Sequence, residues 1–267
     1  MLKIIDVSSN QGLIKIAPID CEGVMIKATG GTSYINDCCD FVAQQCIKLN
    51  KPFGVYHYAH EFGHVVDATT ESNYFIDNVQ GYLHKGVLAL DYEVAINGNN
   101  YTNADSAWCY EFCKNVIDKT GVIPLLYISK SLLRACDWSK VAGLGVGLWF
   151  AQYANNNATG WQSDPWTDND PLTPFNPVMH QFSSHGQITG YRGSLDLNIF
   201  YGDRNAWQAY ANPQTKSKQP ESKPEPKPID YLTLFAQDVL KGKYGNGSER
   251  KDKIFNAVQN RVNELLK

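Results

Sequence analysis

The chain has 267 residues, of which 43% are hydrophobic and 19% charged, so it can bury a sizeable core and is not a disordered protein. Its formal net charge of −3 excludes the strongly basic composition that is typical of nucleic-acid-binding proteins. The charge is uneven, because residues 213–267 carry 11 Lys and Arg against 7 Asp and Glu, a net of +4, which leaves −7 for residues 1–212. A basic tail on an acidic body favours an anionic partner for the tail.

The first residues and the hydropathy pattern predict a protein that does not enter a membrane. Residues 1–6 resemble the start of a strand rather than a signal peptide, and no apolar run reaches the length of a membrane span. We therefore expect synthesis in a cytoplasm, with release by another agent if the protein acts outside the cell. The seven cysteines are odd in number and match no zinc pattern, which favours reduced, buried thiols.

Short apolar segments alternate with amphipathic ones along residues 1–212. The predicted strands span residues 2–7, 23–28, 52–58, 86–94, 123–128, 147–153, 178–182 and 194–200. The predicted helices span residues 37–50, 66–80, 103–120 and 129–136. This alternation predicts a largely parallel α/β core, and roughly eight strands fit a β/α barrel better than an open sheet. No Gly-rich turn follows the first strand, which disfavours a dinucleotide-binding fold.

The stretch 86–94 is the most informative part of the body. Five mostly apolar residues lead directly into Asp91 and Glu93, which would share one face of a strand with Cα atoms roughly 7 Å apart. Two neighbouring carboxylates at the end of a buried barrel strand are typical of an active site, because one can stay ionised while the other acts as an acid. The alternative is a strand end with two solvated acids.

Polar and aromatic residues recur where the other predicted strands end. In a barrel these ends converge on one face, and aromatic rings around carboxylates favour a sugar-binding cleft. Each single aromatic residue could equally belong to the core. The candidate residues are Asp6, Lys27, Tyr56, Asp91, Glu93, Tyr127, Trp149, Gln152, Gln181 and Asp196.

Three other patterns argue against a cofactor or a metal. The loop 29–32 contains two glycines but lacks the residues of a phosphate-binding loop. His60 and His64 have a ligand-like spacing, yet no zinc-protease motif surrounds them, so we expect surface or loop histidines. Cys38 and Cys39 open a helix without an evident partner histidine. We therefore predict no metal and no cofactor.

The last 55 residues form a linker and a small domain. Residues 213–228 contain five prolines, six charged residues and no large apolar residue, so they are predicted to be a semi-stiff linker between a body of residues 1–212 and residues 229–267. Residues 229–267 have two amphipathic helical stripes, which predicts a small helical domain. A domain this short is marginal in stability and could gain stability from self-association or from a ligand.

Eight motifs, taken together and in order, resemble glycoside hydrolase family 25, the Chalaropsis-type lysozymes found in many phage endolysins. The resemblance covers about residues 1–210. It implies an irregular, flattened β/α barrel and an N-acetylmuramidase that cuts the β-1,4 bond between N-acetylmuramic acid and N-acetylglucosamine in peptidoglycan. The motifs lie at residues 6–12, 26–29, 54–58, 90–93, 126–127, 148–153, 180–184 and 196–198.

The same resemblance implies roles for the four acids. Glu93 matches the general acid of the family, Asp91 the neighbouring carboxylate of its Asp-x-Glu motif, and Asp6 and Asp196 two supporting acids. One departure is visible, because many members carry Glu where Gly30 stands. The acids allow either attack by Asp91 on the anomeric carbon or a reaction assisted by the N-acetyl group of the substrate. We favour the assisted route, because two carboxylates on one strand face are poorly placed to act on opposite sides of a sugar.

The tail resembles the Cpl-7-type cell-wall-binding repeat through residues 239–251 and 258–263. This implies binding of peptidoglycan muropeptides by Arg250 and the turn Gly245, Asn246 and Gly247, although Arg250 could also simply pair with Glu249 or with solvent. The chain is then an enzyme made in a host cytoplasm that acts on the wall after release. Rival interpretations are a barrel that binds wall carbohydrate without catalysis, and an amidase or peptidase.

Overall fold

The computed structural model describes residues 1–98, 100–213, 251–256, 258 and 260. Contacts within the chain divide it into two units, residues 1–218 and residues 219–267. In the described part of the chain, no helix combines the length and the apolar character needed to cross a membrane.

The first unit is built on one sheet that closes on itself. The sheet order is β1-β9-β8-β7-β6-β5-β4-β2-β3, and β1 also pairs with β2, so eight strands form a closed barrel to which β3 is added as an outer strand. The predicted α/β barrel is thus confirmed. The strands of residues 1–213 are β1 (Leu2–Val7), β2 (Gly23–Gly30), β3 (Tyr34–Ile35), β4 (Phe53–Tyr58), β5 (Val87–Asp91), β6 (Leu125–Ser129), β7 (Gly147–Ala151), β8 (Pro177–Gly186) and β9 (Leu195–Phe200).

One strand of the barrel runs against the others. Strand β9 is antiparallel to both β1 and β8, whereas the other neighbouring barrel strands pair in parallel. Asp196, the second residue of β9, is therefore at the end of the barrel where β1 finishes, and it pairs in register with Asp6. The sequence interpretation placed Asp196 where a strand ends. It lies near the start of a strand instead, and the reversed direction of β9 still brings it to the same face.

Helices cover the outside of the barrel and close its base. The helices of residues 1–213 are α1 (Cys39–Lys48), α2 (Ala68–Asn78), α3 (Asn103–Thr120), α4 (Lys130–Ala135), α5 (Ser139–Gly143) and α6 (Arg204–Ala211). Helix α6, which periodicity did not predict, places buried Trp207 under the barrel, where its Nε1 donates a hydrogen bond to the carbonyl oxygen of Phe53 at 3.1 Å. Since Phe53 begins β4, α6 closes the end opposite to the carboxyl ends of the parallel strands.

Strand alternation divides the side chains into two cores. Outward residues such as Leu88, Leu90 and Leu126 pack beneath the helices, while inward residues such as Ile4, Val87 and Leu125 fill the base of the barrel. The inward positions change from apolar to polar towards the carboxyl ends of the strands. The candidate site therefore lies at the carboxyl ends of the strands, where the apolar core of the barrel ends.

Three predicted element boundaries were wrong. Strand β5 stops at Asp91, so Glu93 lies in the loop that follows rather than on the strand face. Strand β2 continues through Gly30, which the sequence interpretation had placed in a flexible loop. Strand β7 stops at Ala151, so Gln152 lies just beyond it. Periodicity does not locate such ends, because the pairing partner decides where a strand stops.

All seven cysteines are free thiols, five of them buried, as the composition predicted. Burial raises the pKa of the Cys39 and Cys46 thiols to about 12, so both are protonated and unreactive at neutral pH.

Predictions about the tail fall largely beyond the described residues. Residues 251–256 are helical. Gly245, Asn246, Gly247 and Arg250, together with the linker after residue 213, lie outside the part of the chain that the structure describes.

Candidate active site

The carboxyl end of the barrel opens into a cavity of about 280 Å³. Most of its lining residues are inward-facing positions at the carboxyl ends of the strands, as the alternation of strand side chains requires. They are Asp6, Ser8, Asn10, Lys27, Tyr56, Tyr58, Asp91, Glu93, Tyr127, Trp149, Tyr153, Gln181 and Asp196. Nine of the ten residues predicted for the site are brought together here; Gln152 is not.

Asp6 is the most firmly held of the four acids. Its Oδ2 accepts hydrogen bonds from Asn198 Nδ2 at 2.7 Å and from Gln181 Nε2 at 3.0 Å. Burial raises the pKa of Asp6 to about 6, against the lowering effect of these two bonds. Both amides are themselves oriented, since Asn198 accepts from Trp149 Nε1 at 2.7 Å and Gln181 accepts from Tyr127 at 2.8 Å.

Asp196 faces Asp6 across the β1–β9 pair. Burial, followed by the negative charges of Asp6 and Glu93, raises the pKa of Asp196 to about 8. Two facing carboxyl groups with raised pKa values share protons at neutral pH, because both cannot be ionised at low cost.

Asp91 is the last residue of β5 and is only 7% exposed. Its Oδ1 is buried and accepts no hydrogen bond from any residue that the structure describes. Burial, followed by the charge of Glu93, raises the pKa of Asp91 well above its usual range. Because Oδ1 has no donor among these residues and the carboxyl group is desolvated, the neutral form of Asp91 is favoured over the ionised form more than in an aspartate in water.

Glu93 lies two residues beyond β5, and its side chain is exposed. Loss of solvent around its carboxyl group raises its pKa, while a hydrogen bond with Asp91 and the charge of Lys27 oppose that rise. Desolvation is therefore the cause of the rise, and the neighbouring Asp91 acts in the opposite direction.

The loop that carries Glu93 is anchored from behind the sheet. Asp105, buried at the start of α3, accepts hydrogen bonds from Tyr92 Oη at 2.7 Å and from the backbone N–H of Ile96 at 2.8 Å. Tyr101 Oη donates to the carbonyl oxygen of Glu93 itself. These bonds fix the backbone on both sides of the acid.

Lys27 supplies the positive charge that faces the acids. Its Nζ pairs with Glu61 at 2.5 Å and lies 4.4 Å from the ring centre of Tyr58 and 4.7 Å from that of Tyr34. The ammonium group is thus held at the edge of the cavity between two aromatic rings.

The predicted aromatic residues form the floor of the cavity rather than stacking platforms. Tyr56, Tyr127 and Trp149 are 7%, 8% and 2% exposed, and the tyrosine rings pack edge-on against Trp149. Tyr58 and Tyr153, which are only partly buried, offer more surface to a ligand, and the sequence interpretation did not select them. Strand alternation could have found Tyr58, because it shares the inward face of β4 with Tyr56.

Gln152 lies outside the cavity lining. Its Nε2 donates to the carboxylate of Asp168, and its Oε1 accepts from the backbone N–H of Asp168 at 3.2 Å. The side chain thereby fastens the long loop after β7 and leaves Gln181 as the amide of the site.

His60 lies in the turn after β4, which agrees with the loop alternative of the sequence interpretation, but its side chain is buried and not at the surface. Its Nδ1 lies 3.0 Å from Glu71, and His57 Nε2 lies 2.9 Å from the same carboxylate. Both rings serve the packing between β4 and α2. In the described residues, no group of three or more His, Cys, Asp or Glu side chains could hold a metal ion.

Comparison with known families identifies the family to which this barrel belongs. The model of glycosyl hydrolases family 25 matches residues 5–191. The chain belongs to this family. A second model, the CW_7 repeat, matches residues 234–266.

Individual relatives agree with this assignment. The lysozyme of Streptococcus phage Cp-7 is 28% identical over 272 residues, which cover 98% of this chain and 69% of that protein. The lysozyme of Streptococcus phage Cp-9 is 31% identical over 158 residues, covering 57% of this chain and 44% of that protein. The bacterial lysozyme from Streptomyces coelicolor has the same fold, with a TM-score of 0.59 and 23% identity over 79% of this chain and 97% of that one.

The family 25 chain is thus a glycoside hydrolase, a muramidase that hydrolyses peptidoglycan and carries a cell-wall-binding repeat. Residues that sequence reasoning missed, such as Asn198 and Glu61, act by holding a site residue from another element. Strand alternation could have found Asn198, which shares the inward face of β9 with Asp196, whereas no pattern along a strand indicates Glu61.

Proposed function

We propose that Glu93 is the general acid of this muramidase and that Asp91 orients the N-acetyl group of the substrate as the nucleophile. The observation that carries this proposal is the pair itself: a buried acid whose Oδ1 has no donor among the described residues lies beside a more exposed acid, in one cavity of barrel-mouth residues. Glu93 faces the opening, where a glycosidic oxygen can reach it. Asp91 lies deeper, where it can accept the N–H of an acetamido group.

The pKa shifts of the two acids support this division of roles. Burial raises the pKa of both carboxyl groups, that of Asp91 well above its usual range, so the pair favours keeping a proton between them. When the acetamido N–H donates to Asp91, the ionised form of Asp91 gains the hydrogen bond that it lacks. The proton then resides on Glu93, where catalysis needs it.

The reaction follows in two balanced steps. The acetamido oxygen attacks the anomeric carbon while Glu93 transfers its proton to the leaving oxygen, which breaks the glycosidic bond and forms a cyclic oxazolinium held by ionised Asp91. Water then attacks the anomeric carbon, Glu93 takes the proton of that water, and the ring opens to restore the N-acetyl group. Asp6 and Asp196 support the site by keeping negative charge near the developing positive charge on the sugar.

The wider role that fits these features is that of a phage endolysin. This role is supported by similarity to phage lysozymes, since the relatives from phages Cp-7 and Cp-9 carry that name. In this proposal the barrel of residues 1–212 cuts glycan strands, residues 213–228 form the linker, and residues 229–267 bind muropeptides through Gly245, Asn246, Gly247 and Arg250. Synthesis in a host cytoplasm, action on the wall after release, and self-association of the tail belong to the same proposal.

Mass spectrometry of digested peptidoglycan after borohydride reduction tests the activity. We expect new reduced N-acetylmuramic acid ends, and their absence with the protein still bound to the wall would favour the non-catalytic barrel. A thiazoline analogue of the cyclic intermediate tests the route. Competitive inhibition by this analogue supports the assisted reaction, whereas a trapped glycosyl ester on Asp91 would establish covalent attack.

A further inference from the structure

A carboxylate from outside the barrel strands reaches the edge of the cavity. Glu61 lies in the turn after β4, and its Oε2 lies 2.5 Å from Lys27 Nζ. The two side chains are only 14% and 13% exposed, so this is a largely desolvated ion pair rather than a surface contact.

The neighbouring strand leaves room for this carboxylate. A Cβ atom at Gly30 would lie 2.0 Å from Glu61 Oε2, so only glycine permits the observed position of the carboxyl group. A Cβ atom at Gly31 would lie 3.2 Å from Glu61 Cβ. The absence of a side chain at residue 30 therefore makes room for the carboxyl group of Glu61.

The turn that carries Glu61 is held in a costly backbone conformation. His60 and Phe62, on either side of Glu61, have φ values of 55° and 59°, which residues other than glycine rarely adopt. The backbone N–H of His60 donates to Glu71 at 3.1 Å, and the ring of His60 lies against the same carboxylate. Buried hydrogen bonds thus keep Glu61 pointing towards Lys27.

Lys27 is the cation that acts on the reacting acids. Its charge opposes the pKa rise of both Asp91 and Glu93. We propose that Glu61 is a positioning residue for the hydrolytic reaction, because its carboxylate holds Lys27 between Tyr34 and Tyr58 and limits the positive field that Lys27 exerts on Asp91 and Glu93. This inference rests on the proposed roles of those two acids.

Other titratable groups surround the pair. They are Asp6 on β1, Tyr34 on β3, Tyr56, His57 and Tyr58 on β4, His60 after β4, Glu71 on α2, and Asp91 and Glu93 at the end of β5. Asp6, Asp91 and Glu93 lie on the cavity side, whereas Glu71 and the two histidines lie behind the sheet. Removing the charge of Glu61 therefore changes the potential on the cavity side, where Lys27 is left without its counter-charge.

Two substitutions in the full-length chain test the inference. Glu61→Gln removes the charge and keeps the size, whereas Gly30→Ala leaves Glu61 in place and pushes its flexible carboxyl group away from Lys27. Asp118→Asn is the matched control, because it removes one carboxylate from the exposed Lys114–Asp118 pair on α3. Turnover of soluble peptidoglycan glycan fragments is measured across pH, together with the melting temperature of each variant.

We expect Glu61→Gln to lower kcat about tenfold with a smaller change in KM, since a displaced Lys27 misaligns the site. Its pH profile moves to lower pH, because an unopposed Lys27 favours the ionised form of Glu93 and the general acid is lost earlier. Gly30→Ala shifts the profile in the same direction by less. Asp118→Asn leaves both the rate and the profile unchanged.

A double variant tests whether Glu61 acts through Lys27. In a Lys27→Met background, Glu61→Gln should cause no further shift of the profile, since the cation is already absent. An unmoved profile in both Glu61→Gln and Gly30→Ala, with wild-type turnover intact, overturns the inference and leaves the proposed function standing. If Glu61→Gln does not fold, Gly30→Ala decides the question. Absence of new muramic acid ends from the wild-type protein overturns both proposals.

Discussion

Two groups of desolvated acids in this barrel have opposite pKa shifts. Asp91 and Asp196, at the mouth of the barrel, have raised pKa values. Glu71 and Asp105, between the sheet and the helices, are 0% exposed and have lowered pKa values. Burial alone therefore does not decide the charge of an acid in this protein.

The supply of hydrogen-bond donors accounts for the difference. Asp105 accepts bonds from Tyr92, Ile96 and Thr102, and Glu71 accepts from the backbone of His60 and faces two imidazole rings. Asp91 Oδ1 has no donor among the described residues. Acids behind the sheet are paired and hold loops in place, whereas Asp91 at the mouth is left short of donors and is thereby able to exchange a proton with a substrate.

The sharpest test of the mouth acids is Glu93→Gln. Loss of the general acid should lower kcat by about 10³-fold, because proton transfer to the leaving oxygen stops. The melting temperature should hardly change, since the side chain of Glu93 is partly exposed. Release of reducing ends and a thermal melt measure the two quantities. Activity near that of the wild type would show that another group protonates the leaving sugar.

The opposite outcome is expected behind the sheet. Asp105→Asn replaces a carboxylate that accepts several hydrogen bonds by an amide. Because the N–H₂ group of the amide then faces other donors, those bonds are lost, and the free energy of unfolding should fall by about 3 kcal/mol. Urea unfolding measures this change. The pH profile of the remaining activity should keep its shape, because Asp105 is not among the groups that exchange protons with the substrate. A shifted profile at unchanged stability would contradict the contrast between the two groups.

Asp196→Asn should stabilise the protein at basic pH. A carboxyl group with a higher pKa in the folded chain binds more protons there, so its contribution to stability falls as pH rises from about 4 towards about 8. Removing the charge should raise the free energy of unfolding by about 1–2 kcal/mol at pH 8 and by almost nothing at pH 4. The value at pH 8 is smaller than the full pKa shift would give, because the side chain is partly exposed and solvent screens its charge. Unfolding curves at the two pH values check the sign. Equal effects at both would mean that Asp196 titrates normally.

The smallest expected effect concerns the support of Asp6. Tyr153→Phe removes one of the two hydroxyl groups that donate to Gln181, while Tyr127 keeps the other. The loss of one neutral hydrogen bond corresponds to about 1 kcal/mol, so kcat should fall about fivefold. Tyr210→Phe, on the distant helix α6, serves as the comparison, and steady-state kinetics distinguish the two variants. Equal rates for Tyr153→Phe and the wild type would mean that Tyr127 alone orients Gln181.

The fold and most of the cavity could be predicted from local patterns. Alternating apolar segments predicted the barrel, and acids after apolar runs predicted that Asp6, Asp91, Glu93 and Asp196 would meet. Local patterns could not predict that Asn198 bonds Asp6 or that Glu61 pairs with Lys27, because these contacts join segments 192 and 34 residues apart. Nor could they predict that Asp168 would draw Gln152 away from the site. Such partners are chosen by the three-dimensional arrangement.

The closure of the barrel between its first and last strands has a consequence for synthesis. Asp6 leaves the ribosome early, but the β9 strand that carries its partner Asn198 follows only 192 residues later. Until then the nascent chain has its reacting acids and no closed sheet to position them, because such long-range pairing comes late in folding. We therefore expect translation products that end before β9 to be inert. Lytic activity then begins only with a finished barrel.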